Sequence, residues 1–243
     1  MRRHLPALAA ASALLVLTAC HPRAVQRTAL VADMKTAEQA FLRGQPLPPL
    51  SSDPERYGIY RPVMDHYYGH MTTLKELNAK IAALTPAVEG SLGVDEIGVP
   101  SSRGLSHHNL ALIIQALGEF AQTEDELAGP ASDDLMRRLV PEDPAFAEGM
   151  IKGMQEGRPK VQFIIDTTRL KQDYYRRIDA LVTLADQSIT GLGPGPKLLF
   201  SSPETLAAYN AKLQELAAFE TDMNVKLKQM QAMSQDVKAK EGI

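Results

Sequence analysis

The 243-residue chain has one cysteine, no tryptophan and few aromatic residues. A single thiol cannot form a disulfide within the chain, so stability must come from packing. Beyond the first twenty residues no apolar run approaches the ~18 residues of a membrane span, and none is expected there. Lysine and arginine are nowhere massed into a basic block. That argues against nucleic acid, which binds clustered positive charge, and against electrostatic adhesion to anionic lipid. Reaction signatures are missing too. There is no Gly-x-Ser-x-Gly elbow, so Ser91 is not read as a nucleophile. The glycine-rich stretch Gly191–Lys197 lacks the Gly-Lys-Ser/Thr of a phosphate loop, and its two prolines remove amide donors. The acidic residues are scattered along helical segments, and no carboxylate pair stands out for glycosidase work. The chain reads as a non-enzyme.

What is present begins at the N-terminus. Arg2 and Arg3 precede an apolar run from Leu5 to Leu17, closed by Thr18-Ala19-Cys20. A basic region, a short hydrophobic core and small residues before a cleavage point form a secretory signal. The run of about 13 residues falls short of the ~20 that a spanning helix needs. With cysteine at the cleavage point, the segment resembles a bacterial lipoprotein signal. That resemblance implies removal of residues 1–19, a diacylglycerol on the Cys20 sulfur and an N-acyl chain such as palmitate on its amine. Each buried methylene contributes roughly 0.8 kcal/mol, so two or three chains hold firmly. In such lipoproteins an aspartate after the cysteine retains the product in the inner membrane. Here His21 follows, which implies the periplasmic face of the outer membrane. Cleavage moves the formal charge from −3 to −5, because two arginines leave with the leader. Residues 20–27 are a lipidated N-terminus and short linker reaching at most about 25 Å. Residues 28–243 are expected to form a single periplasmic helical domain.

Periodicity predicts helix nearly throughout. Leu30, Met34, Ala37 and Phe41 place a first helix over 25–43, with Gly44 as its stop. Asp53-Pro54 caps a short turn, and a long helix follows over 61–84 with Val63, Tyr67, Met71, Leu74 and Leu77 on one face. Residues 90–104 read as a loop and 105–127 as a third helix. Gly129-Pro130 breaks it, and two short helices over 132–140 and 144–155 follow. Gly149, Gly153 and Gly157 recur at four-residue spacing. Lys152 and Glu156 exclude a membrane dimerisation face there, leaving a close helix contact or a weak segment. A helix over 159–189 and a last one from Pro203 to about Lys240 complete the chain, the latter entered through a capping box at Ser201-Ser202-Pro203-Glu204. Its stripe from Leu206 to Val237 repeats close to the 3.5-residue heptad of antiparallel bundles and coiled coils. No alternation is long enough for a sheet. The expected fold is all-α, an elongated antiparallel helical bundle with a long C-terminal helix.

Gln26-Arg27 through Phe41, Leu47-Pro48, Tyr67-Tyr68-Gly69 and Phe200-Ser201-Ser202-Pro203 with Ala208-Tyr209-Asn210 resemble the YiaF-like lipoproteins. These are bacterial envelope proteins defined by a domain of unknown function. The likeness covers the signal, the first two helices and the entry to the last helix, and matches poorly over about 90–159. It implies a helical lipoprotein and supplies no catalytic residues.

The chemistry-bearing residues are histidines and methionines. His66 and His70 are four apart on a predicted helix and share a face, so both imidazoles could reach one zinc or copper ion. A third ligand could come from His107 or His108. The metalloprotease pattern is absent, since Tyr67 stands where a glutamate is required. The blander reading places both histidines at the edge of an aromatic seam with Tyr67 and Tyr68. Methionines at 150, 154, 223, 230 and 233 lie on apolar stripes and read first as core. Met230, Met233 and Val237 become a partner-binding tip if the last helix outruns its neighbours. The expected function is that of a non-catalytic interaction or scaffold protein with an envelope protein partner. The alternative is a periplasmic ligand- or metal-binding helical protein. No cofactor is expected beyond the covalent lipid.

Overall fold

The computed structural model describes residues 22–195 and 197–241, with side chains through Gln229 and at Ala232. Cys20 and the leader lie outside these residues, as do the side chains of Met230, Met233 and Val237. The described residues are all-α apart from one hairpin: α1 (Pro22–Leu42), α2 (Arg61–Gly90), α3 (Val94–Gly98), α4 (Pro100–Leu127), α5 (Pro130–Leu139), α6 (Pro144–Ser188), β1 (Ile189–Leu192), β2 (Leu198–Phe200) and α7 (Pro203–Glu241). No described helix is long and apolar enough to cross a membrane.

Two compact units form, the first from 22–77 and 120–165, the second from 78–119 and 166–241. Each takes a segment of α2, α4 and α6. The first unit packs Leu30 and Met34 of α1 against Tyr67, Met71 and Leu74 of α2. Two 3-10 turns, Pro54–Arg56 and Gly58–Tyr60, carry the chain between these helices. Asp53 caps the first turn by accepting from the Glu55 amide at 2.9 Å. Tyr57 and Tyr60 from these turns are fully buried, and their hydroxyls donate to Asp33 at 2.7 Å and to Asp143. Arg56 grips the same Asp33 through two bonds, at 2.7 and 2.9 Å. That bidentate contact holds the Asp33 carboxyl below its ordinary range, against the opposing effect of burial.

The second unit is built on Leu110, Ile113 and Leu117 of α4 against Ile178, Val182 and Ala185 of α6. β1 and β2 pair antiparallel, Leu192 opposite Leu198 and Ile189 opposite Phe200, with a register shift between Ile189 and Gly191. The turn uses Gly195 at φ 76°, where a side chain would be strained. α3 approaches so closely that a Cβ at Gly98 would fall 2.2 Å from the Leu192 side chain.

Several expectations are corrected. The loop over 90–104 holds α3 and the first turn of α4, because Pro100 suits the first helical position. The two helices expected on either side of Pro159 are one, α6. A proline inside a helix loses an amide bond and costs about 3 kcal/mol. Arg158 offsets part of that by donating twice to the Ala128 carbonyl, at 3.2 and 3.0 Å, and once to Asp133 at 3.0 Å. Packing on both sides of the proline, through Met150 and Val161, does the rest. The glycine series does not mark a tight contact at Gly149, which faces open space. A sheet exists after all, though only as the hairpin, its strands too short for alternation to register. The capping box closes on Thr205 in place of Glu204: its amide donates to Ser202 Oγ at 3.3 Å, and the Ser202 amide donates back to Thr205 Oγ1 at 3.1 Å.

Candidate functional site

Helical spacing puts His66, Gly69, His70 and Thr73 on one face of α2. Thr123 and Glu126 of α4 face them, and together with Asp65 they line an open cleft of about 320 Å³ in the first unit. The imidazole centroids stand 4.3 Å apart with their planes inclined at 54°.

Each ring is fixed by its other partners. His70 Nδ1 lies 2.8 Å from the His66 carbonyl oxygen. A carbonyl only accepts, so Nδ1 carries the proton and Nε2 of the neutral ring bears the lone pair. His66 Nε2 lies 2.8 Å from Ser132 Oγ. The Ser132 hydroxyl donates to the Leu127 carbonyl at 2.7 Å. Its oxygen therefore accepts from His66 Nε2–H, and Nδ1 of that ring is left bare. Glu126 Oε2 stands 3.6 Å from His70 Nε2. Burial, and then the positive charge available on His70, hold His66 below the ordinary histidine range, with Glu126 opposing.

His107 and His108 belong to the second unit. His107 is spent on two carboxylates, Nδ1 at 2.7 Å from Asp179 and Nε2 at 2.9 Å from Asp186. Burial alone would lower this ring, but the two acids outweigh it and raise it. His108 is exposed. The structure therefore brings together His66 and His70. Among the described residues no group of three or more His, Cys, Asp or Glu side chains is set to hold a metal ion.

The expected aromatic seam is present in part. Tyr67 is buried and donates to the Met34 carbonyl at 3.3 Å, and Tyr68 donates to the Pro48 carbonyl.

Two polar groups that patterning missed are more deeply buried than any histidine. Arg103, 2 % exposed, donates to the carbonyls of Ile97 (2.7 Å), Ala185 (3.0 Å) and Ile189 (2.8 Å), and to Asp186 at 3.2 Å. It caps the C-terminal end of α6, where carbonyls lack helical partners and positive charge is favoured. Glu124, 1 % exposed, has neither carboxyl oxygen hydrogen-bonded. Burial pushes its carboxyl up to about 7. Glu38 is likewise raised to about 7 by burial, against the opposing charge of Lys35. Tyr67 lies within the field of both and is raised, chiefly by its own burial.

Comparison with protein-family models, with curated proteins and with solved structures returns no match.

Proposed function

We propose that this is a lipid-anchored envelope protein, related to the YiaF-like lipoproteins, whose helical domain docks a protein partner. Cys20 carries the acyl chains at the periplasmic face of the outer membrane, and α1, which begins two residues later at Pro22, keeps the domain near the bilayer. The observation that carries the docking role is α7. Its stripe is only partly packed: Tyr209 is buried, whereas Leu206 and Leu213 are each 40 % exposed. Leu216, Phe219, Met223 and Leu227 are intermediate. Repeating large apolar side chains left half-open along one helix face suit an apolar helical partner, read as anchors three and four residues apart.

Photo-crosslinking in intact cells tests this. A crosslinkable residue placed at Leu206 or Leu213 should capture the same discrete envelope protein, and one at the polar, exposed Arg137 should not. Capture of lipid and bulk porins alone at both α7 positions would remove the docking role.

A further inference from the structure

We infer that the α2 cleft is a metal site in which His66 Nδ1 and His70 Nε2 bind one late first-row divalent ion, with water completing the shell. The inference stands apart from the lipid anchor and from α7, so it can fail without touching either. Three observations carry it. Two imidazoles at i and i+4 face one open cleft, their centroids 4.3 Å apart. Each has its other nitrogen tied down, His70 to the His66 carbonyl and His66 to Ser132, which is in turn anchored on the Leu127 carbonyl. Metal-bound histidines have this arrangement, in which an outer hydrogen bond fixes the tautomer and ring orientation. A lone pair is left on each ring without breaking either of these hydrogen bonds. The Glu126 carboxylate at the rim, 52 % exposed in its side chain, adds negative charge that favours a cation and can accept from metal-bound water.

The ligand chemistry selects the ion. Imidazole suits copper, zinc and nickel over calcium or magnesium, and affinity across the row peaks at Cu²⁺. With two protein nitrogens and open positions, the site resembles an exchangeable or exposed metal more than a closed structural cage.

The test uses the intact purified protein with detergent present, dialysed against CuCl₂ or ZnCl₂, with CaCl₂ as the hard-ion control. The proposal requires one Cu²⁺ retained per chain, nitrogen superhyperfine structure from two imidazoles in the electron paramagnetic resonance spectrum, and no retained calcium. His66→Gln/His70→Gln should weaken Cu²⁺ binding by at least about 10-fold and remove that nitrogen pattern. Ser132→Ala leaves both ligands but frees a ring, and should weaken binding about 10-fold while keeping the two-nitrogen signature. His108→Ala should change nothing. Wild-type protein that retains no copper, or a spectrum unaltered in the double variant, would overturn the proposal. Should the double variant fail to fold, the wild-type nitrogen count and the Ser132→Ala shift still decide it.

Discussion

Glu124→Gln is a sharp test of how the first unit is held together. The glutamate is 1 % exposed, its carboxyl oxygens have no hydrogen-bond partner, and burial lifts it from 4.5 to about 7. Among the described residues no neighbouring charge offsets the effect of burial on Glu124. A carboxyl raised in the folded state binds its proton more tightly there than in the unfolded chain. Its contribution is therefore fully present below pH 4.5 and is lost as pH rises through 7. At about 1.4 kcal/mol per pKa unit, the loss above pH 8 comes to about 3 kcal/mol, of which some 2–3 kcal/mol falls between pH 5 and 8. Glutamine keeps the shape and cannot ionise. Urea denaturation followed by circular dichroism should find the variant within about 1 kcal/mol of wild type at pH 5 and about 2–3 kcal/mol more stable at pH 8. Glu38, raised in the same direction, leaves a residual slope that Glu38→Gln should reduce further. Parallel pH profiles for wild type and Glu124→Gln would refute the reasoning and show that the carboxylate is already ionised and solvated.

Three further outcomes follow from the second unit and from α6. Arg103→Met removes the cap on α6 and the guanidinium bonds to the carbonyls of Ile97, Ala185 and Ile189. It should cost about 3–5 kcal/mol in the same denaturation assay, and a loss under 1 kcal/mol would contradict the capping role. His107 should titrate above the usual histidine range by NMR and fall back towards it in Asp179→Asn, since burial lowers the ring and only Asp179 and Asp186 together raise it; an unchanged midpoint would contradict the ion pair. Pro159→Ala restores an amide inside α6 and should stabilise the protein by about 1–2 kcal/mol, the lost stiffness of the unfolded chain offsetting part of the gain. Destabilisation there would mean that the proline shapes the helix.

Long amphipathic segments were legible because burial enforces their period. On α2 the residues Val63, Tyr67, Met71, Leu74 and Leu77 read as one stripe, and all five are buried. Met150 is core as expected, while Met154 and Met223 are only partly buried. The α7 stripe has the same period yet stays half-open, since periodicity reports which face is apolar and not whether anything covers it. Pro159 was read as a boundary on local cost alone; the contacts that override it, Arg158 to Ala128 and Asp133, come from residues 25 to 30 positions away. Arg103 sat in a stretch read as loop, and only the fold brings residues 82 to 86 positions later against its guanidinium. The His66–His70 pair was visible from spacing. Ser132, which fixes its tautomer, was visible only as the first residue of a predicted helix.

The central claim is the lipid anchor, and the intact mass of the protein purified from membranes tests it most directly. The proposal requires a chain that starts at Cys20, lacks residues 1–19 and carries the added mass of a diacylglycerol and an N-acyl chain, a mass that Cys20→Ser should abolish. A membrane-bound chain that keeps its leader, or one whose Cys20 bears a free thiol, would contradict it.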